Sequence, residues 1–174
     1  DLETWAASNT GITAATEPLD IAVDPQNRST LFVAAGADGG WHTSNGGQTW
    51  ERAIGNHVGS FAVHPQDNSV IYAGNADGYG FTSAVVRSED GGASFADSYT
   101  GAADIHALAI AAADPDVVFA GGEAGDQALV AAHTTNGVAS WKEVFTRTTA
   151  VVRSLAVHPE TPDIAYAGVE DTDS

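Results

Sequence analysis

Cysteine is absent from the 174-residue chain, which excludes disulfides, thiolate chemistry and cysteine-based zinc sites. Cations are nearly as scarce. Six Lys and Arg face 23 Asp and Glu, a formal net charge of -17, and Lys142 is the only lysine. That balance points away from DNA or RNA, whose binding needs cations that displace condensed counterions. An anionic membrane face is disfavoured for the same reason. No apolar run approaches the roughly 20 residues of a membrane-spanning helix, so membrane insertion is not expected. Nor does a basic-then-apolar leader stand at the start; with Asp1 first, any such leader is expected to have been removed or to lie outside this sequence.

What remains is enough for one ordinary domain. Apolar residues make up 43%, much of it alanine, and charged residues only 17%, so the chain does not have the composition of a disordered acidic segment. Nineteen Gly and six Pro suit many turns between short elements. The acidic surface, single lysine and abundant alanine resemble proteins from high-salt organisms; an ordinary acidic secreted domain is the other reading. A charge of -17 on so small a chain repels itself, and salt shortens that repulsion to about 8 Å at physiological ionic strength. Stability is therefore expected to rise from low salt to molar KCl. A melting series checks this, and a flat or falling series removes the high-salt reading.

The chain repeats. Ile21-Ala22-Val23-Asp24-Pro25, Phe61-Ala62-Val63-His64-Pro65, Leu108-Ala109-Ile110-Ala111 and Leu155-Ala156-Val157-His158-Pro159 each alternate large and small residues, the period of a half-buried strand. Their anchors Val23, Val63, Ile110 and Val157 are 40, 47 and 47 residues apart. Eleven residues after each anchor stands Ala34, Gly74, Gly121 or Gly168, closing a second apolar run. Between the two runs lie Pro, Asn and Asp, which form turns because Pro fixes φ and Asn or Asp bonds its own backbone. The position shared by Asp24, His64, Ala111 and His158 accepts three unlike residues and is expected at the surface.

A third feature keeps the same phase: Thr43-Ser44-Asn45-Gly46-Gly47-Gln48-Thr49-Trp50, Ser88-Glu89-Asp90-Gly91-Gly92-Ala93-Ser94-Phe95 and the weaker Thr134-Thr135-Asn136-Gly137-Val138-Ala139-Ser140-Trp141. Asn-Gly or Asp-Gly between apolar flanks signals a hairpin, because the turn needs positive φ. One unit thus holds four short strands in about 45 residues, the size of a propeller blade. The octapeptide resembles the Asp-box, or bacterial neuraminidase repeat, Ser/Thr-x-Asp-x-Gly-x-Thr-Trp. The chain as a whole is similar to Asp-box β-propellers, whose relatives include sialidases, xyloglucanases, sortilin-type receptors and photosystem II assembly-factor-like proteins. The resemblance implies an all-β fold of four-stranded antiparallel blades, about three complete and one split or incomplete. Expected boundaries are 19–55, 56–101, 102–146, and 147–174 taken with 1–10. It also implies that Thr43, Asn45, Gly46, Trp50, Ser88, Asp90, Gly91, Phe95, Thr134, Asn136, Gly137 and Trp141 are structural, bracing each hairpin and packing its aromatic into the blade. Function does not follow from such a fold, which serves enzymes and non-enzymes alike.

No catalytic set is assigned. Asn45 and Asn136 have no carboxyl group with which to act as general acids. His42, His57, His106 and His133 lack helical metal-site spacing, so no metal site is assigned. Bound calcium, which takes oxygen ligands, has Glu123, Asp126, Glu170, Asp171 and Asp173 as its candidates, though not in EF-hand order. A sialidase-like arginine cluster is not assembled from Arg28, Arg52, Arg87, Arg147 and Arg153. No Gly-x-Ser-x-Gly elbow is present. Blade topology places the Pro turns and Asp-boxes on one face and the second-to-third loops (38–41, 75–81, 123–127) on the other. The links 55–57, 99–106 and 147–149 join that second face, where propellers usually bind ligands. Its candidates are Asp38, Trp41, His57, Asp77, Tyr79, Asp104, His106, Glu123, Asp126 and Arg147. Aromatics among carboxylates suit a sugar cleft; the alternative is that they fill space between blades.

The expectation is a non-catalytic binding or scaffold module for a glycan or protein partner, extracellular or periplasmic. The alternative is part of a glycoside hydrolase, sialidase- or xyloglucanase-like, with catalytic carboxylates partly outside this chain. Thr4-Trp5 matches Thr49-Trp50 at a spacing of 45, and Ser174 follows a second-strand run. The chain is therefore expected to be a fragment of a larger propeller or to associate with a second chain.

Overall fold

A computed structural model describes residues 4–13, 17–55, 57–75, 83–100, 103–125, 127–133 and 140–172. Asp77, Tyr79, Asp126, Thr134, Asn136, Gly137 and Asp173 lie outside them. The described residues form three four-stranded antiparallel sheets and one two-stranded sheet, with no helix. The first sheet holds β1 (Asp20–Val23), β2 (Leu31–Ala34), β3 (Gly40–Thr43) and β4 (Glu51–Ile54). The second holds β5 (Val58–Val63), β6 (Ile71–Asn75), β7 (Ser83–Ser88) and β8 (Ala96–Thr100). The third holds β9 (Asp104–Ile110), β10 (Val118–Ala124), β11 (Gln127–His133) and β12 (Trp141–Thr148). β13 (Ala150–Val157) pairs only with β14 (Ala165–Asp171).

Each first-to-second turn closes the same way. Asp24, His64, Ala111 and His158 donate their amides to Thr30, Val70, Val117 and Ile164 carbonyls at 2.8 to 3.0 Å. The surface expectation for this position is corrected. Asp24 and Ala111 are buried, His64 and His158 half-buried. The side chains cap the turn: Asp24 Oδ1 accepts the Gln26 amide at 2.8 Å, and His64 Nδ1 accepts those of Gln66 and Asp67 at 3.2 and 2.9 Å. His158 Nδ1 does the same for Glu160 and Thr161 at 3.3 and 3.1 Å. Asp and neutral His are interchangeable here because each presents one acceptor to backbone amides.

The third-to-fourth hairpins are braced from within. Asn45 Oδ1 accepts from Thr43 Oγ1 at 2.8 Å and from the Thr49 amide at 3.0 Å, while Thr43 Oγ1 accepts the Gly47 amide at 3.1 Å. Ser88, Asp90, Gly92 and Ser94 repeat that lattice. Gly46, Gly47, Gly91 and Gly92 have φ between 68 and 92°, which side chains with a Cβ rarely adopt. The Gly46 and Gly91 amides reach the Ser29 and Ser69 carbonyls at 2.8 and 2.9 Å, tying hairpin to Pro turn at one end of the first and second sheets. Hydrogen bonds from Ser94 and Ser88 pull the Asp90 carboxyl down to about 2. A depressed carboxyl stabilises the fold above its unfolded value near 4 and loses that contribution as pH falls through about 2. Asp90→Ala should thus lower the melting temperature at pH 7 and converge on the parent near pH 2. Asp90→Asn, which copies the first hairpin, should melt close to the parent at pH 7.

Three apolar cores lie between successive sheets. Phe32 and Ala34 meet Val58, Phe61 and Ala73; Tyr72 and Val85 meet Ile105 and Val118; Val117 and Phe119 meet Ala150 and Val152. Phe95 and Trp141 pack against the first two of these from the hairpins. A smaller cluster of Ala35, Trp41 and Trp50 sits on the other side of the first sheet. Residues 8–12 cover it: Trp50 Nε1 donates to the Ser8 carbonyl at 3.0 Å, the Trp50 amide donates to the Thr10 carbonyl at 2.8 Å, and Ile12 packs alongside.

Candidate functional site

Away from the braced hairpins, the opposite ends of the first and third sheets are closed by tight turns rather than long loops. Ala35 donates its amide to the Gly39 carbonyl at 2.9 Å, Gly39 has φ 86°, and β3 begins at Gly40. Gly125, with φ 66°, turns β10 directly into β11. The strands therefore run further than the expected loops allow. Trp41, His106, Glu123 and Arg147 lie on strands, and the third-to-fourth link shrinks to Thr149, held at φ 55°.

These strand ends carry a row of carboxylates paired with arginine or histidine on the third sheet and on β13–β14. His106 Nε2 on β9 lies 3.2 Å from Glu123 Oε1 on β10. Arg153 Nε on β13 donates to Glu170 Oε2 on β14 at 2.7 Å. His106 and Arg153 are 47 residues apart, and so are Glu123 and Glu170, so one cross-strand pair is used twice. Arg147 Nη2 on β12 reaches Asp171 Oδ1 at 2.7 Å and joins the two sheets beside the Thr172 amide to Thr149 carbonyl bond of 2.8 Å. Glu123 also stands opposite Asp104 in the β9–β10 register. The innermost strands β1, β9 and β13 enclose a hollow of about 210 Å³ lined by Asp20, His106, Arg153 and Ser154 among others. Asp20 is held there by accepting the Ile21 and Phe61 amides at 2.8 and 3.1 Å.

Of the candidates read from sequence, the structure brings Asp104, His106, Glu123 and Arg147 into this row. Asp38 and His57 sit apart, half-buried between the first and second sheets, where the Gly36 and Val58 backbones bridge. His57 has φ 57°. Trp41 is corrected. It is buried beside Trp50, and the Arg52 guanidinium covers its ring at 4.9 Å, so it presents no stacking surface to solvent. A period-2 pattern alone does not distinguish this packed position from a ligand-facing one. Asp77, Tyr79 and Asp126 lie outside the described residues. Sequence reasoning missed the Arg153–Glu170 pair, although its 47-residue offset from His106–Glu123 is legible. Among the described residues no three His, Asp or Glu side chains gather to hold a metal ion. The calcium candidates Glu170 and Asp171 are each paired with an arginine and Glu123 with the His106 ring, and Asp173 is outside the described residues.

On the second and third sheets, Tyr99 and Trp141 stack at 5.5 Å between ring centres. Tyr99 Oη donates to Glu143 Oε1 at 3.2 Å, and burial together with that carboxylate pushes the phenol up to about 12. It remains a neutral donor at any physiological pH.

No protein-family model matches the chain, and no curated protein matches it. Solved structures do. An ancestral GH74 enzyme is 22% identical, with a TM-score of 0.73 over 94% of this chain and 23% of its own length. The GH74 enzyme of Niastella koreensis is 25% identical, with a TM-score of 0.60 over 71% of this chain and 20% of its own. YCF48 bound to D1 peptide is 16% identical, with a TM-score of 0.59 over 86% of this chain and 48% of its own. The fold is that of a β-propeller, and the chain spans a fifth to a quarter of the length of these two GH74 structures.

Proposed function

We propose that the chain is a non-catalytic binding or scaffold segment of an Asp-box β-propeller, outside the cytoplasm, engaging a glycan or protein partner through the charged row around His106, Glu123 and Arg147. The observation that carries this reading is the pairing itself. Glu170 and Asp171 each hold an arginine and Glu123 lies within hydrogen-bond reach of the His106 ring, so the row presents fixed hydrogen-bonding groups. A glycosidase instead needs two carboxylates facing each other across a cleft. The YCF48 structure supplies a propeller of this fold with a peptide bound. Glycan arrays and peptide arrays probed with the whole chain test the proposal. Binding that weakens in Glu123→Gln or Arg147→Ala, with melting unchanged, supports it.

The alternative is part of a glycoside hydrolase whose catalytic carboxylates lie partly outside this chain. The likeness to two GH74 enzymes favours it. Incubation with a polysaccharide panel and a reducing-end assay separates the two readings, since release of sugar ends would replace the binding proposal.

A further inference from the structure

The four Pro turns share a backbone closure but not a cap. Asp24, His64 and His158 each present one acceptor to the amides that follow, and Ala111 presents none. A proton treats these caps differently. A carboxyl group keeps an accepting oxygen in either protonation state, whereas an imidazole Nδ1 accepts only while it carries no proton. Histidine gains that proton between about pH 5 and 8. An imidazolium at His64 would aim an N–H at the Gln66 and Asp67 amides, which now donate to Nδ1 at 3.2 and 2.9 Å. Two donors form no bond.

A second partner for the ring stands on the same turn. Hydrogen bonds from Ser69 Oγ at 2.6 Å and from the Ser69 amide at 3.1 Å hold the Asp67 carboxyl below the usual carboxylate range, so it is charged wherever histidine titrates. The His64 ring lies within its field. The other charged groups around the turn are Arg87 of β7, itself paired with Glu89, and Asp116 of the third sheet, beside Tyr72 and Arg87. From the first sheet comes Asp24, whose Oδ2 accepts Asn68 Nδ2 at 3.2 Å.

The capped turn holds two neighbours. The second sheet packs between the first and the third. Besides the Asn68–Asp24 bond, Gln26 Nε2 donates to the Pro65 carbonyl at 3.4 Å, so the turn is a joint with the first sheet. The Ser69 carbonyl accepts the Gly91 amide at 2.9 Å, which joins the turn to the Asp90 hairpin.

We propose that His64 is a proton-operated latch on the second sheet. Neutral, its ring caps the turn and keeps both joints in place. Protonated, it releases the Gln66 and Asp67 amides, turns to the Asp67 carboxylate and loosens the joints to the first sheet and to the Asp90 hairpin. The His64 amide to Val70 carbonyl bond and the Val70 amide to Asp67 carbonyl bond, both 3.0 Å, close the turn in either state, so the strands stay paired and only the segment between them changes. The first sheet, capped by Asp24, does not respond, and the third has no such cap to lose. His158 repeats the cap, with Thr161 where the second sheet has Asp67.

Amide–solvent exchange measured by NMR on the whole chain at about pH 8 and about pH 5, the two ends of the imidazole range, tests this. Relative to their intrinsic rates, Gln66 and Asp67 should exchange about tenfold faster at the lower pH, as for the loss of one hydrogen bond, and Gly91 should follow. Gln26, capped by Asp24, should keep its protection. His64→Asp copies the cap of the first sheet, and His64→Asn supplies an amide oxygen. Each should hold the Gln66 and Asp67 amides equally well at both pH values, and either serves if the other does not fold. His158→Asp should leave the response of the second sheet intact. Protection at Gln66 and Asp67, or at Gly91, that stays constant while the His64 ring protons titrate overturns the proposal. So does a loss that persists in His64→Asp or His64→Asn.

Discussion

Trp50→Ala should cost the chain about 3–5 kcal/mol, the range for truncating a large buried aromatic. The indole is buried with Trp41 and Ala35 and closes the hairpin braced by Thr43 and Asn45. Its Nε1 holds the Ser8 carbonyl at 3.0 Å, and its own backbone amide holds that of Thr10. Truncation leaves a cavity under Ile12 and removes the indole bond to Ser8, while the backbone bond to Thr10 remains. The charged row on His106, Glu123 and Arg147 lies at the opposite sheet ends and shares no contact with Trp50, so binding there should persist below the lowered melting point. Chemical denaturation with the slope and midpoint fitted separately checks the magnitude. A midpoint like the parent's would place Trp50 outside the stabilising core.

The fold was legible because its signals are local. A turn that must cap itself, a hairpin that needs two left-handed glycines and a strand that alternates large with small each occupy fewer than ten residues, and each recurs in phase. Asp24 was misjudged for the same reason. Asp, His and Ala look tolerant of solvent as a set, yet two of them share an acceptor that caps the turn's amides and the third simply fills space. The site was legible only in part. His106, Glu123 and Arg147 belong to one row, but their partners come from strands 17 to 24 residues away in sequence, and nothing in the pattern of one strand names them. Only the 47-residue repeat does so, by copying His106–Glu123 into Arg153–Glu170. Trp41 failed because a sheet packed on both sides gives an aromatic two apolar faces, and alternation does not say which one meets solvent.

Repeat position and neighbour together decide what a side chain contributes, and Phe32 and Tyr166 separate the two. They occupy the same place in the repeat, nine residues after Val23 and Val157. Phe32 is fully buried against Phe61, whose ring lies 5.4 Å away, and stacks on His42 at 5.9 Å. Phe32→Ala should therefore destabilise by about 3–5 kcal/mol, combining lost transfer energy with a cavity that the surrounding strands cannot fill. Among the described residues no sheet lies over Tyr166, which is 60% exposed. Tyr166→Ala should shift the unfolding midpoint by only about 0.5 kcal/mol or less, as for a surface substitution, when measured dilute enough that one chain is present. Equal losses for the two substitutions in dilute solution would mean that Tyr166 is already covered within the single chain.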